Sequence, residues 1–269
     1  MFDRGRRRRL TMGLRTVLGL GADGFFVPHR HAADAIAVRG RTSAALEAIF
    51  DAARPAFAAF LADIDAFAPD LEAIAGLDPP EPRFEQDWFP RLDAAALYAL
   101  VRSRRPSRIV EVGSGHSTRF VMRALRDGCI AAEVTAIDPA PRADVAALPL
   151  TLLRQPLQAV DPAVFARLGS GDLLMVDSSH VLMPGTDVDI VLNHVLPAAP
   201  AGLLVGFHDV FLPDGYPERW PFTSYNEQNA VAPLLLGAVR PVFASRFVLT
   251  RMADAFAATV AARLPLRPG

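Results

Sequence analysis

The spacing of apolar positions changes character near residue 83. From His31 to Leu77, Leu46, Ile49, Phe50, Phe57, Phe60, Leu61, Ile64 and Phe67 recur at helical intervals in an alanine-rich stretch. They predict one long helix or two consecutive ones, with Pro55 marking a start or a kink. The phenylalanine stripe reads as packing surface rather than a cofactor contact, because aromatics at this period normally bury. Asp78-Pro79-Pro80-Glu81-Pro82 reads as a stiff linker.

Beyond the linker, short apolar runs alternate with amphipathic stretches. Strands are predicted at Arg108–Val112, Glu133–Ile137, Leu150–Leu153, Asp172–Val176 and Leu203–Phe207. Helices are predicted at Asp93–Val101, with Asp93 as its cap, and at Ser117–Arg126, Pro162–Leu168 and Val188–Leu196. From Asn226 the pattern predicts a helix and a strand near Pro241–Ala244. A last helix includes Met252–Leu264, and Phe247–Leu249 either continues the sheet or opens that helix.

Such alternation predicts an α/β fold, a Rossmann-like and mostly parallel sheet with helices on both faces, preceded by an α-helical N-terminal segment. Three parts follow: a basic, partly flexible arm over 1–30, a helical accessory segment and linker over 31–82, and an α/β domain with a C-terminal helix over 83–269.

The first predicted strand runs into Glu111-Val112-Gly113-Ser114-Gly115-His116-Ser117-Thr118. Gly113 and Gly115 permit a tight turn and close approach of a ligand, and Ser117 and Thr118 suit a helix start. Asp138 ends the second strand, where a carboxylate can accept both hydroxyls of a ribose. A dinucleotide fingerprint needs a third glycine where Thr118 stands, which argues against a nicotinamide-dependent oxidoreductase.

Strand four ends in Asp177-Ser178-Ser179-His180 and strand five in His208-Asp209. Strands one, four and five are expected as neighbours, so these side chains should converge beside the glycine loop. Two carboxylates and two imidazoles there suit either a hard-metal site or an acid/base pair. Singly, Asp177 reads equally well as a loop cap and His208 as a backbone hydrogen-bond partner. In His116 the backbone is expected to matter more than the ring, while His29, His31 and His194 read as structural or exposed. In the long segment after strand five, Trp220 and Tyr225 are candidates to wall a substrate pocket. Asn226, Glu227 and Gln228 stand in the same segment but also read as an ordinary helix start.

These motifs resemble class I S-adenosylmethionine-dependent methyltransferases, in particular the small bacterial group known as methyltransferase family 24. The likeness rests on Glu111-x-Gly113-x-Gly115 with its Ser-Thr continuation, Ile137-Asp138-Pro139, Asp177 through His180, Gly206-Phe207-His208-Asp209 and Tyr225-Asn226-Glu227-Gln228. It spans about Phe84 to Thr250. The resemblance implies that Glu111, Gly113, Ser114, Gly115, Asp138 and Asp177 bind S-adenosylmethionine. It also implies O-methylation of a small polyol, sugar or phenolic acceptor. His180 or His208 would remove the hydroxyl proton. Asp177 and Asp209 would orient that histidine or hold a magnesium or other divalent ion, although His208 occupies the place of an expected second acid.

Composition narrows the alternatives. All 28 basic residues are arginine, so neither a Schiff-base lysine nor a phosphate-loop lysine is available. A formal net charge of -1 gives no broad basic face for nucleic acid. The single cysteine, Cys129, excludes an intramolecular disulfide and fits the reducing cytoplasm. Met1–Arg41 holds nine arginines against three aspartates, and no run approaches the roughly 20 apolar residues of a membrane span. The arm therefore reads as a solvated charge run, with docking on anionic lipid as its sharper alternative. A non-catalytic scaffold on the same fold is the remaining alternative, opposed by the acids at three strand ends.

Overall fold

The computed structural model describes residues 4–34, 42–74, 78–217, 225–237 and 239–266. The chain forms two compact units, Met1–Arg39 and Gly40–Gly269. In the first, helix α1 (Arg4–Val17) ends where Gly19 adopts φ +68°, which brings the Leu20 N–H onto the Arg15 carbonyl at 2.7 Å. Arg15 also pairs with Asp23.

The second unit opens with α2 (Ala44–Ala52), α3 (Arg54–Asp65) and the short helix Ala68–Glu72. The sequence predicted one or two helices; three form, because Pro55 and Pro69 each sit in a first turn, where a missing N–H costs no hydrogen bond. Phe57 and Ile64 are wholly buried.

Then follow α4 (Arg91–Arg104), β1 (Arg108–Val112), α5 (His116–Asp127), β2 (Glu133–Ile137), β3 (Thr151–Leu153), β4 (Leu173–Val176) and β5 (Leu204–Phe207). All pairings are parallel, in the order β3-β2-β1-β4-β5. Val112 is level with Ile137 and with Val176, and Val176 with Phe207. The residues that leave these strands, Gly113, Asp138, Asp177 and His208, therefore line one edge of the sheet.

Side-chain alternation builds two cores, as a sheet covered on both faces requires. Ile109, Leu173 and Met175 join a core with α4, α5 and the 44–72 helices. Val110, Val112, Leu174 and Val176 face the other way, against Leu157, Val160, Leu168 and Val191. The second face is clad in short pieces: Ala163–Ala166 forms a single turn, and Asp187–Ile190 passes into π and 3₁₀ geometry through Ala198.

The tail differs from expectation. Pro241–Ala244 forms no strand; the Phe243 ring instead packs 4.9 Å from Phe60 and 6.0 Å from Phe57. Burial against α3 there outweighs the strand propensity of a short apolar run. After α6 (Gln228–Leu236), Phe247–Leu249 lies in α7 (Ser245–Arg251), with Phe247 5.8 Å from Phe57. The expected last helix is broken into Ala253–Ala257 and a 3₁₀ turn at Val260–Ala262.

Candidate active site

The glycine loop is held from three directions. Gly113 has φ +84°, and a Cβ there would lie 1.8 Å from the Asp177 carbonyl oxygen, so only glycine fits. The Ser114 N–H donates to Asp138 Oδ2 at 2.8 Å, and the Ala140 N–H donates to Oδ1 at 2.7 Å. The Gly115 N–H donates to Thr118 Oγ1 at 2.9 Å, closing the start of α5.

Glu111 lies beneath this loop. It is 1% exposed and accepts hydrogen bonds from the Ser117 and Thr118 hydroxyls. Burial pushes its carboxyl up to about 7, against the pull of those two hydroxyls. Glu111 thus braces the loop from below, while the loop's own N–H groups are held by Ile137, Asp138 and Thr118. His116, at the first helical position, is buried, and its Nδ1 has no hydrogen-bond partner. Burial lowers its pKa to about 4, with Arg119 and Arg83 adding to the effect.

Along the same edge β4 and β5 deliver a compact charged group. His180 Nε2 lies 3.4 Å from Asp177 Oδ1 and 3.7 Å from Asp209 Oδ2. His208 Nδ1 lies 3.3 Å from Asp177 Oδ1 and 3.8 Å from Asp209 Oδ1, while its Nε2 faces Asp93 at 3.7 Å. These are ion-pair approaches, and His208 Nδ1 makes no aligned hydrogen bond. Both histidines are buried. His180 (φ +58°) and Asp209 (φ +54°) adopt left-handed backbone, turning their side chains inward just past their strands.

The sequence reading missed two members of this group. Glu227, read as part of a helix start, is 1% exposed and accepts from His180 Nδ1 at 2.9 Å. Asp93 is not a cap: α4 starts two residues earlier at Arg91, which frees the Asp93 carboxylate to face His208. The flanking residues fix Glu227 in place. Asn226 bonds the Leu182 backbone through both ends of its amide, and the Gln228 side chain bonds Phe211 and Asp214. The Tyr225 ring lies 4.4 Å from the His180 ring. Trp220 lies outside the described residues.

Charge follows from this geometry. Burial opposes the imidazolium form of His180, yet Asp177 and Glu227 outweigh it and raise its pKa to about 9. Asp177 and Asp93 likewise hold His208 well above its usual value against burial. Asp177 itself falls well below the carboxylate range: burial resists ionisation, but two imidazoles overcome it. Burial raises Asp209 and Glu227.

The donor set does not fit the expected magnesium ion. Magnesium takes oxygen ligands, whereas the carboxylates here are turned toward two imidazoles. Asp177 Oδ1 already meets both of them, and each holds its proton more tightly than an isolated histidine. Among the described residues no group of three or more His, Cys, Asp or Glu is disposed to hold a metal ion. Asp177 and Asp209 serve here as counter-ions of the imidazoles.

A cavity of about 1540 Å³ connects the two halves, lined by Ser114, Asp138, Asp177, His180, Asp209 and Tyr225 among others. It is large enough for a nucleoside-sized ligand with a small second molecule.

The methyltransferase domain model of methyltransferase family 24 matches residues 110–210. No curated protein matches the chain. Among solved structures, the chain is similar to the SAH-bound methyltransferase PaMTH1 of Podospora anserina. The two are 20% identical, the likeness covers 80% of this chain and 91% of that one, and the TM-score is 0.40. The domain match runs from within β1 to just past His208-Asp209, so the segment that carries the glycine loop and the charged group is similar to a methyltransferase domain.

Proposed function

We propose that the protein transfers the methyl group of S-adenosylmethionine to a hydroxyl oxygen of a small acceptor, with His180 as the proton acceptor and no metal ion in the step. The observation that carries this reading is the shared sheet edge. There the Asp138-bonded glycine loop and the Glu227-bonded His180 open into one cavity.

The cofactor's ribose hydroxyls suit Asp138, and the two glycines of the loop let its amino-acid end approach the backbone closely. His180 is preferred over His208 because its Nδ1 is held by an aligned hydrogen bond to Glu227, whereas His208 Nδ1 makes none. Both nitrogens of His208 face carboxylates, and its ring lies 4.9 Å from Phe89. Nε2 of His180 faces Asp177 and Asp209 at longer range, 3.4 and 3.7 Å, and would serve the acceptor once its hydroxyl enters between Nε2 and Asp209. As the oxygen attacks the methyl carbon, its proton passes to Nε2 and the sulfonium leaves as a neutral thioether. The imidazolium that forms is stabilised by Glu227 and Asp177. Most of the acceleration comes from holding oxygen, carbon and sulfur in line.

A radiolabelled-methyl transfer assay over sugar, polyol and phenolic acceptors tests the reading. Transfer that survives a chelator and is lost in His180→Gln supports it. Chelator-sensitive transfer, or full activity in His180→Gln, removes the metal-free histidine mechanism.

A further inference from the structure

We propose that the N-terminal unit is a docking element for anionic lipid surfaces. Helix α1 carries Arg6, Arg7, Arg8 and Arg9 in succession, all exposed, with Arg15 two turns later. At 100° per residue, Leu10, Leu14 and Val17 fall on one narrow stripe, flanked by Arg6 and Arg7, with Arg8 and Arg15 behind. All three apolar residues are more than half exposed.

The apolar surface continues past the helix. Leu18 and Leu20 flank the turn at Gly19, and Phe25, Phe26 and Val27 follow at 60%, 63% and 66% exposure. Most of the large hydrophobic residues that the described structure leaves exposed lie in this short unit. A helix with arginines around an apolar stripe and aromatics beside it has the form of an interfacial segment, which lies in the headgroup layer without crossing it. No helix among the described residues is long and apolar enough to cross a membrane.

Charge complementarity selects an anionic lipid surface. Arginine near such a surface contributes attraction within a Debye length, and exposed leucine and phenylalanine gain by entering the acyl boundary. Nucleic acid would satisfy the arginines and leave the apolar stripe and both phenylalanines in water, so it is the weaker fit.

Co-sedimentation of the full chain tests this. Vesicles of phosphatidylcholine with about 30% phosphatidylserine should pull it down, while pure phosphatidylcholine vesicles should not. High salt should weaken the binding. Arg7→Glu with Arg8→Glu should weaken partition at least about tenfold, since each cation near an anionic surface is worth roughly fivefold. Phe25→Ser with Phe26→Ser should also weaken it. S-adenosylhomocysteine binding and circular dichroism, unchanged in both variants, serve as controls for folding. No binding to the mixed vesicles, equal binding to both kinds, or binding to a short nucleic-acid duplex in place of vesicles overturns the proposal.

Discussion

Glu227 Oε2 lies 2.9 Å from His180 Nδ1, joining two loops that are 47 residues apart in sequence. The contact orients the ring, with Nδ1 toward Glu227 and Nε2 toward Asp177, Asp209 and the cavity. An acid behind a histidine in this way orients the ring and stabilises the imidazolium it becomes.

Glu227→Gln keeps the shape of this contact and removes its charge. The His180 pKa should then fall from about 9, because Glu227 is one of the two acids that raise it. Turnover should drop about ten- to a hundredfold, less than the roughly hundred- to ten-thousandfold that full loss of the base would cost, because His180 itself remains. A kcat-against-pH profile checks this: a merely structural role would lower the rate without moving the limb.

In the intact enzyme the sign is fixed by the base. If His180 is the base as proposed, it accepts a proton only when neutral, so kcat should rise with pH and level off above about 9. A profile already flat at pH 7 would assign proton transfer to another group.

Stability responds to the same groups in opposite directions. His180 is raised above its ordinary value of 6.5, so its contribution is complete below that pH and lost as pH rises through about 9. Asp177 is lowered, so its contribution is present above its ordinary value of 3.8 and lost only in stronger acid. Glu111 is raised to about 7, so part of the stability declines as pH rises from about 4.5 to 7. Thermal melting across pH should show that decline in the wild type and lose it in Glu111→Gln.

Gly113→Ala would place a methyl group 1.8 Å from the Asp177 carbonyl at a backbone angle that alanine adopts only under strain. Destabilisation of at least about 2 kcal/mol is expected, with cofactor binding lost, since the clash is against backbone and cannot be relieved by a rotamer. Thermal denaturation with and without S-adenosylhomocysteine measures both effects.

The sheet and half of the site were legible because their signals are local. Apolar runs ending in glycine or aspartate placed Gly113, Asp138, Asp177 and His208 on one edge, and the parallel register put them there. Glu227 and Asp93 were not legible, because near a helix start a carboxylate looks the same whether it serves the helix or a histidine on another element. Pro241–Ala244 read as a strand because apolar residues suit either a sheet edge or a helix face, and only the position of Phe57 and Phe60 decides between them. The magnesium expectation finds no support at this site, since the sequence shows that His180 and His208 are near the acids but not that their rings face the carboxylates.

The most direct measurement is calorimetric titration of the intact protein with S-adenosylhomocysteine, with NADH in parallel. Micromolar binding of S-adenosylhomocysteine alone is predicted. Asp138→Ala should weaken it about ten- to a hundredfold, through loss of a charged acceptor that also holds the Ser114 and Ala140 N–H groups. No heat with S-adenosylhomocysteine, or saturable binding of NADH in its place, would contradict the assignment.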